Sequence, residues 1–241
     1  MLIMKYNNDK NFKGEIRMSV MCAVFVPEGI AMATDSRMTV TAVNNNDKSK
    51  SMMFSISDNA QKIVLLNKVK IGISACGQAV LEGKTISDYL RIFEINEVCE
   101  DDDVTDVANK LFKYASKQLN SMPPTNFFVC GYAQDEPFVY SVNKTITRNN
   151  MKNGQIQYST VWSGEPTAIT KLLNSQPPMM LNPGMMPLKD AIDFSEFLVD
   201  VTIKYQRFES KVKTCGGDID LLVLTKDDAF WHQHKVFKPL R

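Results

Sequence analysis

The sequence predicts an α+β protein in which two stacked sheets are flanked by helices. Two observations lead to this fold class. Apolar strand-like runs and amphipathic helices occur in blocks, in the order strands, two helices, strands, two helices, strands, and such segregation is typical of α+β domains. The chain has 241 residues, of which 44% are hydrophobic, so it can bury a large core without a disulfide or a metal.

The first block of strands is predicted to form two hairpins. The apolar runs 20–26 and 30–34 are joined by a Pro-Glu-Gly turn, and the runs 62–66 and 69–75 are joined by an Asn-Lys pair. The polar stretch between the hairpins, 43–59, is expected to be a long surface loop. Residues 1–17 are polar and aperiodic, so we expect an extension outside the core.

The helices are predicted from apolar residues at helical spacing. The clearest stripe lies in 104–121, and four acidic residues precede it, as suits the positive end of a helix dipole. The other predicted helices are 78–95, 166–174 and 188–206. The remaining predicted strands are 126–133, 136–142, 156–162, 219–224 and 229–236.

Composition and charge argue against several classes of protein. Lys and Arg total 28 and Asp and Glu total 27, whereas a dedicated nucleic-acid binder carries a basic excess. No apolar run approaches the ~20 residues of a membrane helix, and the first twenty residues lack the apolar core of a secretory signal. We therefore expect a cytoplasmic protein with reduced thiols and with neither nucleic-acid nor membrane partners.

Metal and cofactor sites are not indicated either. The five cysteines are widely spaced and form no C-x-x-C pair. His232 and His234 share one face of a predicted strand, but the chain has no third histidine. We expect no metal and no cofactor.

Five motifs follow one another between residues 19 and 236. They are Gly-Ile-Ala-Met-Ala-Thr-Asp-Ser-Arg (29–37), Gln-Lys-Ile (61–63) with Val-Lys-Ile-Gly-Ile-Ser-Ala-Cys-Gly (69–77), Phe-Phe-Val-Cys-Gly-Tyr (127–132) with Pro-Phe-Val-Tyr (137–140), Trp-Ser-Gly (162–164) and Cys-Gly-Gly-Asp (215–218). In this order they resemble the motifs of proteasome β-type subunits, which belong to the N-terminal nucleophile (Ntn) hydrolase superfamily. The resemblance implies a four-layer αββα sandwich over residues 19–241, with 1–18 as an N-terminal extension or propeptide.

The resemblance also implies a site. In this superfamily the first residue of the mature chain supplies the nucleophile and, through its α-amino group, the base. A hydroxyl needs such a base, and an α-amino group with a pKa near ~8 can serve at neutral pH. The family's strand-ending Asp lies sixteen residues after the nucleophile, and counting back from Asp35 gives Ser19. Ser19 would be the nucleophile, Asp35 would orient the site and Lys62 would tune it.

Two further groups would complete this site. The Ser163 hydroxyl would lie beside it, and the backbone N–H near Gly77 would act as an oxyanion donor. The substrate would be a peptide or a small amide. Because subunits of this family form rings or stacked rings, we also expect a homo-oligomer.

Three hypotheses remain open at this stage. The first is a threonine-peptidase-like protease that uses Ser19. The second is a non-catalytic structural or interaction subunit that retains residues 1–18, so that Met18 acylates the amine of Ser19. Translation from Met18, followed by removal of that methionine, would free the amine. The third is an amidase with Cys22 as its N-terminal nucleophile.

The sequence departs from the family pattern at the site. Ser19 stands where the family usually has Thr, and Met18 stands where it commonly has Gly. Cys215 replaces the Ser of the Ser-Gly-Gly turn, and the Asp that usually precedes this turn is absent from 211–214. These differences bear on activity more than on fold.

Overall fold

The computed structural model describes residues 12–18, 20–44, 47–120, 125–177 and 179–235. The described strands are β1 (Phe12–Met18), β2 (Val20–Val26), β3 (Gly29–Thr34), β4 (Met38–Asn44), β5 (Asp47–Ser57), β6 (Ile63–Leu66), β7 (Ile71–Gln78), β8 (Val80–Leu81), β9 (Lys84–Thr85), β10 (Asn126–Ala133), β11 (Glu136–Val142), β12 (Ile146–Arg148), β13 (Met151–Lys152), β14 (Gln155–Ile156), β15 (Ser159–Gly164), β16 (Asp220–Leu224) and β17 (Ala229–Gln233). The helices are α1 (Ile86–Glu97), α2 (Val104–Leu119), α3 (Thr167–Leu173) and α4 (Leu188–Arg207), with a 3₁₀ turn at Pro183–Met185.

Two antiparallel sheets contain most of these strands. In the first sheet the described strands follow the order β12-β11-β10-β7-β1-β4-β5, and β6 also pairs with β7. In the second sheet the order is β15-β2-β3-β16-β17. The α+β class predicted from the block order is confirmed. No helix in the described part of the chain is long and apolar enough to cross a membrane.

Three buried apolar clusters hold the elements together. One is shared by the first sheet with α1 and α2, and includes Ile73, Leu90 and Leu111. A second is shared by the second sheet with α3 and α4. The third lies where the two sheets contact each other. The run 20–26 has no polar face because β2 alternates between the second and third clusters and is buried throughout.

The contact between the two sheets requires a glycine in β7. A Cβ added at Gly72 would lie 2.7 Å from the sulfur of Met32 and 2.8 Å from Leu222 Cδ2, both on the second sheet. Met32 and Leu222 are fully buried, so neither side chain has free space into which it can move. The backbone of β7 therefore approaches the second sheet more closely than any side chain permits.

Gly72→Ala should lower the free energy of unfolding by about 1–3 kcal/mol, because overpacking a closed core forces side chains out of their preferred rotamers. Gly184→Ala is the matched control, since its added Cβ would lie 3.7 Å or more from any neighbour. Denaturant unfolding of both variants measures the difference. Equal stability of the two would contradict the close contact of the sheets at this position.

The polar stretch 43–59 is not a surface loop, as the sequence suggested. Its larger part forms β5, which pairs with β4 in a long antiparallel hairpin. The prediction was wrong because β5 lies at the end of the described sheet order. A strand in that position pairs with one neighbour only and can have a polar sequence. Phe54 and Ile56 are 42% and 47% exposed on this strand.

The first helix begins later than the predicted 78–95. Residues 80–85 form the small hairpin of β8 and β9, whose turn contains Glu82 at φ 50° and Gly83 at φ 76°. Two successive positive φ values suit a tight hairpin turn and interrupt a helix. The helix then starts after Thr85, whose hydroxyl accepts the N–H of Asp88 and caps it.

The N-terminal segment was expected to lie outside the core, yet its described part belongs to the first sheet. Strand β1 pairs with β4 from Phe12 opposite Asn44 to Arg17 opposite Thr39. It also pairs with β7, where Met18 lies opposite Gly77. A strand can join a sheet through its backbone alone, so a polar sequence did not preclude it.

Candidate functional site

A buried ion pair joins the two sheets. Asp35 directly follows β3 of the second sheet, and Lys62 directly precedes β6 of the first. Lys62 Nζ lies 2.6 Å from Asp35 Oδ1, and neither side chain is exposed to solvent. The carbonyl of Lys62 also accepts the N–H of Ala75 at 2.9 Å, which holds the lysine backbone against β7. The structure thus brings together two residues that the motif order selected.

The carboxylate of Asp35 accepts backbone hydrogen bonds from three further places in the chain. Oδ1 accepts the N–H of Val20 at 3.3 Å, and Oδ2 accepts the N–H groups of Arg37 at 3.1 Å and Gly216 at 3.0 Å. A buried carboxylate is tolerated only when it is paired and hydrogen-bonded in this manner. Asp35 therefore fixes the start of β2 and the 216 turn against Lys62.

Ser19 lies outside the described residues, but both of its neighbours in the chain are described. Met18 ends β1 opposite Gly77 in the first sheet, and Val20 begins β2 opposite Gly164 in the second. The amide nitrogen of Val20 is bonded to the carbonyl carbon of residue 19, and it is this nitrogen that lies 3.3 Å from Asp35 Oδ1. The ion pair is therefore adjacent to the bond that follows residue 19.

Ser163 is part of a second polar group in the same region. Its Oγ accepts hydrogen bonds from Asn126 Nδ2 at 3.0 Å and from the thiol of Cys76 at 3.1 Å. Burial raises the pKa of the Cys76 thiol, while the hydrogen bond with Ser163 and the charge of Lys62 act in the opposite direction. Sequence reasoning assigned no role to Asn126 or Cys76, although Cys76 lies in one of the quoted motifs, directly before Gly77.

Gly77 has a backbone conformation that residues with a side chain rarely adopt. Its φ is 113°, and it lies opposite Met18 in the pairing of β7 with β1. Only glycine reaches this region without strain. The structure therefore brings Gly77 next to the residue that precedes Ser19, and its role as an oxyanion donor stays a prediction.

The turn at 216–217 explains why one of the motifs contains two glycines. A Cβ on Gly216 would lie 2.5 Å from Arg37 Cζ, and one on Gly217 would lie 2.2 Å from the carbonyl oxygen of Asp58. Arg37 in turn forms a bidentate pair with Asp58 at 2.6 and 2.7 Å. The hydrogen bond from Arg37 lowers the pKa of Asp58. The turn thus packs directly onto an ion pair next to Asp35.

Cys22 occupies a different environment. It is fully buried in the cluster beneath α4, and its thiol donates to the carbonyl oxygen of Ser195 at 3.4 Å. Burial raises its pKa to about 12. Because the thiolate is the nucleophilic form, this geometry disfavours the hypothesis of a Cys22 amidase.

Neither histidine belongs to a metal-binding cluster within the described part of the chain. The ring of His234 packs against Trp231, with 3.9 Å between centroids, and its Nε2 lies 3.4 Å from Gln61 Nε2. In the part of the chain that the structure describes, no three His, Cys, Asp or Glu side chains are grouped so as to hold a metal ion.

Comparison with known proteins gives no family assignment. The chain matches no protein-family model, and no curated protein matches it in sequence. Any functional interpretation is therefore based on the motifs and on the geometry of the site.

Lys62→Met should lower the free energy of unfolding by about 3–5 kcal/mol, because it removes the ammonium that lies 2.6 Å from the buried carboxylate of Asp35. Lys204→Met is the control, since Lys204 is 68% exposed in its pair with Asp200 and such a pair contributes about 0–1 kcal/mol. Denaturant unfolding at neutral pH tests both. Similar losses in the two variants would refute the buried pair.

Proposed function

We propose that this protein is a proteasome-like N-terminal nucleophile hydrolase that cleaves amide bonds in peptides. Ser19 is its nucleophile, the α-amine of Ser19 is its base, and residues 19–241 form the hydrolase domain. The observation that carries the proposal is the buried Lys62–Asp35 pair, whose carboxylate accepts the N–H of Val20, the residue after Ser19.

The fold contacts are in keeping with this proposal. Helices α1 and α2 share a buried cluster with the first sheet, the two sheets share another, and α3 and α4 share a third with the second sheet. These contacts support a four-layer αββα sandwich, the arrangement of the superfamily that the motifs resemble.

In the proposed reaction, the neutral amine of Ser19 takes the proton from Oγ while that oxygen bonds to the substrate's carbonyl carbon. The C–N bond then breaks, the proton passes to the leaving nitrogen, and an ester forms on Oγ. Water attacks the ester through the same proton relay and releases the acid and the free hydroxyl. The ammonium of Lys62 disfavours a second positive charge nearby and keeps the amine neutral, while Asp35 holds Lys62 in place.

The proposal requires removal of residues 1–18, because the peptide bond from Met18 ties up the amine of Ser19. Strand β1 lies between β7 and β4 in the first sheet. In the processed protein, the backbone groups of β4 and β7 that pair with β1 become available to an extended peptide. A cavity of about 320 Å³ beside this position is lined by Met38, Ala79 and Ile86 and by uncharged polar residues. It would accept an uncharged substrate side chain.

A second candidate is a non-catalytic structural or interaction subunit that retains residues 1–18. The observation that favours it is that β1 pairs with β4 at six successive positions and continues onto β7. A segment that pairs at this many positions helps to hold the folded sheet together. A propeptide that is later removed does not need to do so.

Chains that begin at Ser19, generated by cleavage of a removable N-terminal tag, should hydrolyse fluorogenic peptide amides. The chain that retains residues 1–18 should not, because its residue-19 nitrogen is an amide and not a base. Ser19→Ala at the same start is the matched control and should lose at least about 10³-fold in kcat/KM. Equal rates for the unsubstituted chain and its Ser19→Ala variant would refute the enzyme, and intact mass would verify each start.

We also propose a cytoplasmic homo-oligomer that forms a ring or stacked rings. The five cysteines lie in the described part of the chain and form no disulfide there, which is in keeping with a reducing compartment. Apolar side chains near the ends of α3 and α4 are available for contacts between subunits: Met180 is 95% exposed, Met185 81% and Phe208 85%.

Sedimentation at micromolar concentration should therefore show an assembly larger than the 27.2 kDa chain. Met180→Lys combined with Met185→Lys should shift the distribution toward the single chain, because charges in an apolar interface are costly to desolvate. Lys189→Glu, a charge change on a side chain that is 66% exposed, is the control. A single 27.2 kDa species for the unmodified chain would contradict the proposed assembly.

A further inference from the structure

The end of α4 and the residues that follow it form a loop with a fixed base. Gln206 is buried, and its Oε1 accepts the N–H groups of Thr214 and Cys215 at 2.9 Å each. Its Nε2 donates to Thr214 Oγ1 at 3.0 Å. Residues 207–213, which we call the tip, lie between these fixed points. A loop that is closed at its base in this way needs little further ordering when it binds a partner.

The tip has an apolar centre and positive charges around it. Phe208 is 85% exposed and Val212 is 46% exposed. The Cζ of Arg207 lies 5.9 Å from the centroid of the Phe208 ring. Three exposed lysines lie beside it in the chain: Lys204, Lys211 and Lys213. Against these four cations the stretch contains one carboxylate, Glu209, so the tip is a positively charged surface with an exposed aromatic ring.

A cavity of about 410 Å³ beside the first sheet has the complementary character. Val69, Ile71 and Phe138 form apolar parts of its wall. The same wall contains five carboxylates: Glu100, Asp101, Asp102, Asp103 and Glu136. We call it the acidic cavity. Sites of ~300–1,000 Å³ hold small molecules, so the acidic cavity has room for an aromatic side chain.

Most of the negative charge of the acidic cavity is not neutralised within the chain. Asp102 pairs with Lys110, and Glu136 pairs with Arg148. The other three carboxylates are exposed and form no ion pair within the described part of the chain: Glu100, Asp101 and Asp103. No three described carboxylates are grouped so as to hold a metal ion. This charge therefore suits several separate cations, such as those of the tip.

The tip and the acidic cavity lie at opposite ends of the strands. The tip precedes the turn whose Gly216 N–H donates to Asp35 at 3.0 Å, which places it at the end that holds the buried ion pair. Strand β6 begins beside Lys62 and runs away from it, and Val69 and Ile71 of the cavity follow the end of that strand. The tip also follows α4 on the second sheet, whereas the cavity adjoins the connection between α1 and α2. Within one chain the two surfaces cannot meet.

We propose that the tip of one copy of this chain docks into the acidic cavity of a second copy. Phe208 enters the cavity, and the cations of the tip face the carboxylates that have no partner. The inference rests on the proposed homo-oligomer and names its contact, and it does not depend on the hydrolase activity. Because the two surfaces lie at opposite ends, each copy can bind one neighbour through its tip and another through its cavity. Such a head-to-tail contact closes into a ring if the rotation between neighbours permits.

Charge reversal on each side tests the pairing. Lys211→Glu with Lys213→Glu should shift sedimentation toward the single chain, and so should Glu100→Lys with Asp101→Lys, because each change brings like charges together. A mixture of the two double variants should recover the distribution of the unmodified chain, since every altered surface then meets the opposite charge. A mixture that sediments no faster than its separate components would overturn the proposal.

Lys189→Glu and Asp193→Lys are the matched controls for these reversals. They change side chains that are 66% and 56% exposed near the other end of α4, so neither should alter the sedimentation. Thermal unfolding of each variant reports whether it is folded. Raising the ionic strength from 0.1 to 1 M shortens the screening length from ~10 to ~3 Å, and it should weaken the assembly of the unmodified chain.

The aromatic part of the contact is tested separately. Phe208→Ala should raise the dissociation constant between copies at least about tenfold, as for an aromatic side chain that fills a pocket at an interface. Its thermal unfolding should not change, because Phe208 is 85% exposed in the single chain. Phe197→Ala is the control, since Phe197 is also exposed on α4, at 40%. Equal dissociation constants for the two variants would contradict the position of Phe208 in the cavity.

The outcomes separate this contact from the proposed assembly as a whole. If Met180→Lys with Met185→Lys disperses the assembly while the tip reversals leave it intact, the homo-oligomer stands and the contact between tip and cavity is refuted. If the unmodified chain sediments only as a 27.2 kDa species, both are refuted.

Discussion

The buried pair of Asp35 and Lys62 is the constraint on which this end of the molecule depends. Each charge is tolerated in the interior only because the other is 2.6 Å away and because backbone N–H groups donate hydrogen bonds to both oxygens of the carboxylate. The need to pair this carboxylate also constrains the residues that surround it. Gly216 must lack a side chain so that its N–H reaches Asp35, and Arg37 fills the space beside it. One carboxylate thus links both sheets and the turn before β16.

Residues 12–18 end at the point where the chain leaves the first sheet for the second. Met18 closes β1 in the first sheet, and Val20 opens β2 in the second. Because β1 lies between β7 and β4, it links the β4–β5 hairpin to the rest of the first sheet. In the proposed enzyme, a single cleavage therefore has two consequences: it frees an amine beside Asp35 and Lys62, and it opens a strand-shaped space next to that amine.

The parts of this structure that follow from local pattern were predictable from the sequence. Apolar runs gave β2 and β3, and a helical stripe gave α2. The β5 strand was missed because its sequence is polar, although its partner β4 is its neighbour in the chain. The strand at 12–18 was missed because its partners β4 and β7 lie far along the chain. Asp35 and Lys62 were found through motif order, whereas Asn126 and Cys76, which are paired across β10 and β7, contact Ser163 of β15 only because the two sheets pack together.

The buried pair also weighs on the choice between an enzyme and a structural subunit. A buried ion pair adds little net stability, since apolar residues of similar volume in its place often stabilise a protein equally well or better. A purely structural subunit would therefore gain little from keeping a lysine fully buried at this position. A hydrolase would gain a fixed positive charge beside its base, where it keeps an amine neutral. The two candidates share the contacts between Asp35 and Lys62 and differ in whether residues 1–18, which include β1, are retained. The presence of the pair favours the candidate in which they are removed.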